Sequence, residues 1–483
     1  MMKLTKKINP ETIVGVVSML FRIFISLDIT KLAFTVAKPK IIRDLADNPL
    51  YAKSKRIAEE LYEMVRAMFY SMLRVKWGKK SLNVFIRAIF LNPHLAKANE
   101  EWKRKFGHGP PGFLVISPTK LCNLRCPGCY ANSAGERDKL PYKVFQRIVK
   151  ESRELWGNRF CVLSGGEPLM YRSDGKTVLD LVGEFPDSIF LMFTNGLLID
   201  ETIAKRIGEL GNLTPAISVE GMKKTTDSRR GAGTFDNILR VMQILRQEHV
   251  IFGISLTATK ENCEEILSEE FIDFFFNKMG VAYGWIFHYM PIGRDVDVNL
   301  MPTPAQRVWM WKRSWEIIKS KKIFLVDFWN HGTTSSGCLA GGRQGGYLHI
   351  NWHGDVAPCV FLPYATSNIQ EVYKSGGNLN DVIMTPFFKA IRQWQVSKGF
   401  PQPARLAQEL QNYSVNWLRP CPIRDHFQEA FKIIKEHQAR PLDYAPDCIY
   451  LEQKSYFDAM SKYDEELKTL TDPIWHKTYQ HNR

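Results

Sequence analysis

An alternation of strand-like and helix-like segments between residues 113 and 293 restricts the folds open to this chain more than any other feature. Six runs rich in aliphatic and aromatic residues are separated by stretches with the apolar spacing of a helix. Alternating strands and helices predict an α/β fold with a parallel sheet, whose ligand site lies at the carboxyl ends of the strands. The strand-like runs are 113–118, 160–166, 189–196, 215–221, 252–258 and 285–293.

The segment before this region has a different character. Residues 1–110 hold 21 Lys and Arg against 9 Asp and Glu, so most of the formal net charge of +15 lies there. Residues 57–77 and 81–90 have apolar residues at helical spacing, with basic residues on the other face. The sequence GHGPPG at 107–112 ends this pattern and predicts a domain boundary.

A basic excess in one segment is typical of contact with a polyanion, either nucleic acid or an anionic membrane. Residues 13–27 are apolar but short for a bilayer span and are interrupted by Arg22, so we predict an interfacial helix. A buried core helix, a signal and an anchor are the alternatives. This run offers apolar area and not the stacking groups that read bases, so we expect a membrane surface and no nucleic acid.

Three of the nine cysteines lie close together in a loop that follows the first strand. Nine are too few for a disulfide scaffold in a chain of 483 residues, which favours a reducing, cytoplasmic setting. Cys122, Cys126 and Cys129 have the spacing C-x3-C-x2-C. A [4Fe–4S] cluster held by three thiolates keeps one iron open, as a catalytic centre requires. A zinc knuckle with a fourth ligand from elsewhere and chance clustering are the alternatives.

This loop, followed by Tyr130, resembles that of the radical S-adenosylmethionine (SAM) superfamily. The resemblance implies a partial (βα)6 barrel of the TIM type and a [4Fe–4S] cluster whose open iron chelates SAM. Reductive cleavage of SAM would then give a 5′-deoxyadenosyl radical that abstracts a substrate hydrogen, with a low-potential electron donor such as ferredoxin or flavodoxin. Tyr130 matches the aromatic position whose backbone lies near the adenine.

The end of the second strand carries Gly165, Gly166, Glu167 and Pro168, which resemble the GGEP motif of the same superfamily. In that family a backbone carbonyl and the glutamate carboxylate receive the ammonium group of SAM. Without the cysteine loop, these four residues would equally fit an ordinary strand-to-helix turn.

Further cofactor contacts implied by the resemblance follow the third and fourth strands. Ser218 would bond to the ribose or carboxylate of SAM, and Arg230 would pair with the carboxylate, with Arg229 as the rival assignment. Glu220 stands where the family usually has aspartate, which leaves its contact open. The stretch 291–294, PIGR, resembles a loop whose glycine lies beside the adenine. The candidate contacts on these strands are Thr194, Asn195, Ser218, Glu220 and Arg230.

Four cysteines lie in the last third of the chain. Cys338, followed by Gly354 and Cys359, resembles the opening of a SPASM or twitch domain, in which such residues bind an auxiliary cluster. We expect one auxiliary [4Fe–4S] cluster on Cys338, Cys359 and Cys421, which Cys448 would complete. Scattered structural cysteines and a zinc site are the alternatives, while Cys161 and Cys263 fit buried, inert thiols.

These observations predict three regions and a reaction class. The regions are a basic, amphipathic helical segment (1–110), a radical SAM core barrel (111–300) and a small α+β cluster-binding domain with a helical tail (301–483). The expected substrate is a membrane lipid or isoprenoid, taken up by a cytoplasmic protein lying at the membrane surface. A peptide maturase and a non-catalytic iron–sulfur protein are the alternatives.

Overall fold

The computed structural model describes residues 29–46, 54–90, 93–400, 416–443 and 454–480. Its strands are Phe113–Ile116 (β1), Phe160–Leu163 (β2), Arg172–Ser173 (β3), Lys176–Thr177 (β4), Ile189–Thr194 (β5), Leu213–Val219 (β6), Gly253–Ala258 (β7), Tyr283–His288 (β8), Leu325–Asp327 (β9), Tyr347–Ile350 (β10), Asp355–Ala357 (β11), Tyr364–Ala365 (β12), Ser367–Asn368 (β13) and Arg440–Pro441 (β14).

Its α-helices are Ile29–Ala46 (α1), Lys55–Arg74 (α2), Lys79–Phe90 (α3), Pro93–Phe106 (α4), Tyr142–Trp156 (α5), Val178–Glu184 (α6), Glu201–Leu210 (α7), Lys223–Arg230 (α8), Thr234–Gln247 (α9), Glu269–Ile272 (α10), Pro304–Lys321 (α11), Ile369–Lys374 (α12), Leu379–Ile383 (α13), Pro386–Ser397 (α14), Pro422–Asp425 (α15), Phe427–Glu436 (α16) and Lys454–Trp475 (α17).

The six predicted strands correspond to β1, β2, β5, β6, β7 and β8, which lie side by side in this order and run parallel. Helices such as α5, α7 and α9 connect successive strands and pack apolar faces against the sheet. The predicted α/β barrel is therefore confirmed, and its ligand site is expected where the parallel strands end.

The last third of the chain extends this same sheet at both edges. Strand β9 pairs in parallel with β8, and β10 pairs in parallel with β1, with Phe113 opposite Tyr347. Strands β11 and β13 then continue the sheet beyond β10. Edge strands expose unpaired backbone groups, and these later strands supply partners for them.

One face of the barrel strands is only partly covered. Along β8, Gly284, Ile286 and His288 are buried, whereas Tyr283, Trp285 and Phe287 keep part of their surface exposed. Successive side chains of a strand point to opposite faces, so the partly exposed set faces the barrel interior. TIM barrels usually fill this interior with side chains, whereas here it stays hollow.

The amphipathic helices of the N-terminal region pack on the barrel. Ile57 and Ala67 of α2 are fully buried in the main core, and Arg66 donates to the backbone oxygen of Lys319 in α11 (3.1 Å). Much of the apolar stripe that suggested membrane contact thus has a partner within the protein. Residues 13–27 lie outside the described residues, and within those residues no helix is both long and apolar enough to cross a bilayer.

A buried ion pair joins the barrel to the C-terminal region. Arg307 of α11 and Asp425 of α15 are at most 1% exposed and form a two-pronged contact, with Nη2 and Oδ2 2.9 Å apart. Burial alone would raise the pKa of Asp425, but Arg307 outweighs burial and holds that pKa below its usual value. Asp425 also accepts a hydrogen bond from the backbone N–H of Cys421 (3.0 Å), so the pair positions a candidate ligand.

We predict that Asp425→Asn destabilises the protein by about 3–5 kcal/mol, because it leaves the Arg307 guanidinium buried without its counter-charge. The measurement is the midpoint of unfolding in guanidinium chloride. Glu154→Gln is the control, since Lys150 and Glu154 form an exposed pair and such pairs contribute little. Equal midpoints for the two variants would contradict this reading of the buried pair.

Candidate active site

The three clustered cysteines lie in the loop after β1 and line one chamber of about 360 Å³. Cys122, Cys126 and Cys129 are half-buried, and the backbone N–H of Leu124 donates to Cys122 Sγ (3.4 Å). Burial raises the pKa of Cys122 to about 12, and binding of a metal would displace the thiol proton. The loop thus presents three thiols to a common space.

Two glycines after β2 allow the cysteine loop to lie directly against the strand end. Gly165 has a φ of 108°, and a Cβ on Gly166 would lie 2.3 Å from the carbonyl oxygen of Leu121. The backbone N–H of Gly166 donates to Thr119 O (2.9 Å), and that of Glu167 donates to Leu121 O (2.8 Å). A side chain at Gly166 would therefore push the cysteine loop away.

The Glu167 carboxylate is fully buried and joins the ends of two strands, β2 and β5. It accepts hydrogen bonds from the backbone of Leu169 (3.1 Å), from Thr194 Oγ1 (2.8 Å) and from the backbone of Asn195 (2.9 Å). Burial raises its pKa, and these donors oppose that rise. Oε2 receives only one of these bonds and can accept another. Pro168 begins a short 3-10 turn behind the carboxylate.

Polar side chains of neighbouring strands reach the cysteine loop as well. Asn195 Nδ2 donates to Asn123 Oδ1 (2.8 Å), which ties the end of β5 to the loop. The Tyr130 hydroxyl lies 2.7 Å from Ser164 Oγ, and Ser218 lines the chamber from β6. The predicted contact residues that follow β1, β2, β5 and β6 thus lie around one chamber.

Glu220, whose contact the sequence leaves open, faces two arginines. Arg229 Nη1 lies 2.7 Å from Glu220 Oε2, and Arg230 Nε donates to Oε1 (2.9 Å). Burial disfavours the charged form of Arg230, yet Glu220 and the nearby thiols raise its pKa above the usual value. Both arginines line the chamber, while Glu220 holds them from behind.

The loop after β8 braces the cysteine loop from the other side. Arg294 donates to the backbone oxygens of Cys126 (3.2 Å) and Ser133 (2.8 Å). A Cβ on Gly293 would lie 2.3 Å from Cys129 O, so this glycine permits close backbone contact. Sequence reasoning placed that glycine beside the adenine, and the bracing role of Arg294 was not predicted.

The structure brings together three of the four C-terminal cysteines. Cys338, Cys359 and Cys421 line one small cavity, and the backbone N–H groups of Ala340 and Phe361 donate to Cys338 and Cys359 (3.4 and 3.3 Å). Burial raises the pKa of Cys359 to about 12. Cys448 lies outside the described residues. As expected, Cys161 and Cys263 are buried in the core.

Aromatic side chains separate the two thiol sites. The Phe361 ring lies 5.6 Å from that of Tyr130, 5.9 Å from that of Phe287 and 5.0 Å from that of Trp329, measured between centroids. Phe361 and Phe328 border both cavities. Sequence reasoning missed this wall, although the alternation in 324–329, FLVDFW, was a signal for inward-facing aromatics.

The donor set around the first chamber fits an open iron–sulfur cluster. It offers three thiols, and within the described residues no further cysteine lines the chamber. Three thiolates leave one iron of a [4Fe–4S] cluster without a protein ligand. The fold and this loop define a barrel protein that presents three thiols at the carboxyl ends of its strands, a donor set suited to such a cluster.

Residues 116–268 match the model of the radical SAM superfamily. That superfamily uses a [4Fe–4S] cluster and SAM, which fits the three thiols that line the chamber. Fe-coproporphyrin III synthase of Methanosarcina barkeri is 30% identical over 165 residues, which are 34% of this chain and 41% of that relative.

Longer matches extend beyond the core. The antilisterial bacteriocin subtilosin biosynthesis protein AlbA of Bacillus subtilis is 21% identical over 343 residues, 70% of this chain and 72% of the relative. Streptococcus suis SuiB, solved with its precursor peptide SuiA, is 18% identical with a TM-score of 0.51, over 62% of this chain and 70% of SuiB. The resemblance to SuiB extends to the fold alone.

We predict that Gly166→Ala prevents assembly of the first cluster, because the added methyl group meets the Leu121 carbonyl oxygen. Iron content and the ultraviolet–visible spectrum after anaerobic reconstitution are the measurements. Gly135→Ala is the matched control, since a Cβ there has no neighbour within 4 Å. A Gly166→Ala protein with full iron content and normal SAM cleavage would refute this account of the loop.

Proposed function

We propose that this chain is a radical SAM enzyme that abstracts a hydrogen atom from a residue of a peptide, as a peptide maturase. The observation that carries the proposal is that two thiol sites lie next to each other, separated only by one aromatic wall. AlbA, which is named for the biosynthesis of a bacteriocin, matches this chain over a length that exceeds the core domain. That relative supports a peptide substrate more than a membrane lipid or isoprenoid.

Each group around the chamber has a role in this proposal. Cys122, Cys126 and Cys129 would hold the cluster, and Glu167 would accept the ammonium group of SAM. Arg229 or Arg230 pairs with the SAM carboxylate, a contact suited to a guanidinium. When bound, the cluster supplies the electron that cleaves SAM to the 5′-deoxyadenosyl radical.

The barrel side chains complete the reaction space. Ser218 of β6 would offer a hydroxyl to the ribose or carboxylate of SAM, and the Tyr130 backbone would lie beside the adenine. Trp285 and Phe287 line the part of the chamber in which an apolar substrate side chain would meet the radical. Aromatic walls of this kind exclude water, which protects a reactive intermediate from side reactions.

The C-terminal thiols form the second part of the proposal. Cys338, Cys359 and Cys421 would bind an auxiliary [4Fe–4S] cluster, with Cys448 as the candidate fourth ligand. The support is that these three buried thiols share one cavity and two of them accept backbone N–H bonds, a pattern that stabilises cluster thiolates. An alternative function as a non-catalytic iron–sulfur protein would not require the SAM contacts around Glu167.

The enzyme would work in the cytoplasm with a ferredoxin or flavodoxin as its electron donor. The structure gives less support for peripheral binding to an anionic membrane than the sequence does. The N-terminal helices that motivated it bury much of their apolar surface against the barrel, and the basic residues alone do not select a membrane.

We predict that the anaerobic enzyme with SAM and dithionite forms 5′-deoxyadenosine and removes hydrogen from a short peptide encoded beside its gene. Mass spectrometry of the nucleoside and of each peptide is the measurement. Cys126→Ala should abolish both products, whereas Cys263→Ala, a buried cysteine away from the chamber, should leave both unchanged. SAM cleavage with every peptide unaltered would argue against the peptide substrate, and no SAM cleavage would contradict the enzyme itself.

We predict about eight irons per chain after reconstitution, since two [4Fe–4S] clusters would be bound. Replacing Cys122, Cys126 and Cys129 together by Ala should leave about half of the iron. The reciprocal triple variant at Cys338, Cys359 and Cys421 should also keep about half. If the first variant is folded and iron-free, there is no auxiliary cluster.

A further inference from the structure

The hollow interior of the barrel continues away from the cysteine loop. A second cavity of about 470 Å³ lies at the amino-terminal ends of the strands, opposite the thiol site. Its lining includes the residues with which four strands begin, which are Phe160, Ile189, Leu213 and Tyr283. We call this space the lower cavity.

Two N-terminal helices line one side of the lower cavity. Helix α2 contributes Met68 and Met72, and α3 contributes Val84, Phe85 and Ala88. Flexible methionine side chains and aromatic rings adapt to apolar ligands of different shapes. A space of this size with such a lining lies within the range of small-molecule binding sites.

Several polar groups at the edge of the lower cavity are engaged within the protein, whereas Asn212 Oδ1 and the Trp285 indole N–H have no hydrogen-bond partner among the described residues. Arg159 lies 3.2 Å from Asp187, and the Thr214 hydroxyl donates to the backbone oxygen of Ile251 (2.8 Å). The Asn212 amide donates to three backbone oxygens, each at 3.0 Å. The charge on the lining thus has its counter-ion already, which favours a neutral occupant.

The lower cavity and the reaction chamber share a wall. Phe160, Leu191 and Trp285 line both spaces, so only side chains of the barrel interior separate them. The two cavities follow one another along strands that rise about 3.3 Å per residue. An extended molecule in the lower cavity could therefore reach the wall that it shares with the reaction chamber. A compact molecule would be too short to reach that wall.

We propose that the lower cavity is a binding site for a neutral, linear apolar chain, either alkyl or isoprenoid, whose end lies at the floor of the reaction chamber. This site goes beyond the proposed function, since binding requires neither SAM cleavage nor a peptide. The helices α2 and α3 line one side of the site, which gives the N-terminal region a role in ligand binding.

The test is equilibrium binding to the reconstituted full-length protein without SAM. N-phenyl-1-naphthylamine serves as a neutral fluorescent probe, and hexadecanol and farnesol compete for its site, as the alkyl and isoprenoid arms. Adamantanol is the compact competitor. We expect saturable probe binding that at least one linear alcohol displaces, and adamantanol should not displace the probe.

Variants assign this binding to the lower cavity. Ala88→Trp fills the space from α3 and Met72→Trp fills it from α2, so each should weaken probe binding at least tenfold. Val65→Trp adds a similar volume at an exposed position of α2 outside the lining and should change binding less than twofold. Circular dichroism identifies any variant that fails to fold, and the other filling variant then decides.

Three results would overturn the proposal. They are the absence of saturable probe binding, full binding in a folded Ala88→Trp or Met72→Trp protein, and displacement by adamantanol as strong as by both linear alcohols. None of these results depends on SAM turnover. A failure here is therefore distinguishable from a failure of the proposed enzymatic function.

Discussion

The close backbone contact between the cysteine loop and the two glycines after β2 is the constraint on which the site depends. Gly166 brings its Cα next to the carbonyl oxygen of Leu121, and no residue with a side chain can do so without moving the loop. This contact places the buried Glu167 carboxylate beside the three thiols. Gly293 and Arg294 hold the same loop from the opposite side, so the thiols lie between two fixed walls.

The second constraint is the continuity of the sheet. Because β10 pairs with β1 and β9 pairs with β8, the segments that carry Cys338 and Cys359 are built onto the barrel edges. The buried pair of Arg307 and Asp425 then orients the backbone of Cys421. The second thiol site is therefore fixed relative to the first by backbone pairing and by one desolvated ion pair, not by a flexible linker.

A hollow barrel loses packing contacts in its interior, and the surrounding helices offset part of this loss. Inward-facing residues such as Trp285 lose packing partners when the interior is not filled. The N-terminal helices cover the amino-terminal end of the barrel, and aromatic residues such as Phe361 cover the space between the two thiol sites. The interior remains apolar and available to ligands at both ends.

The sequence by itself determined the parallel core and the first thiol site, because both depend on local patterns. Strand and helix periodicity, the spacing of Cys122, Cys126 and Cys129 and the dipeptide Gly165-Gly166 are all readable over a few residues. It could not determine that Glu220 holds Arg229 and Arg230, since this contact depends on how one loop folds back.

Contacts between distant segments were decided only by the tertiary structure. The pairing of β10 with β1 joins residues more than two hundred positions apart in the sequence, and apolar alternation does not specify a partner strand. The same reason explains why the stripe on α2 suggested a membrane. An amphipathic pattern shows that an apolar face will be covered, but only the assembled barrel shows what covers it.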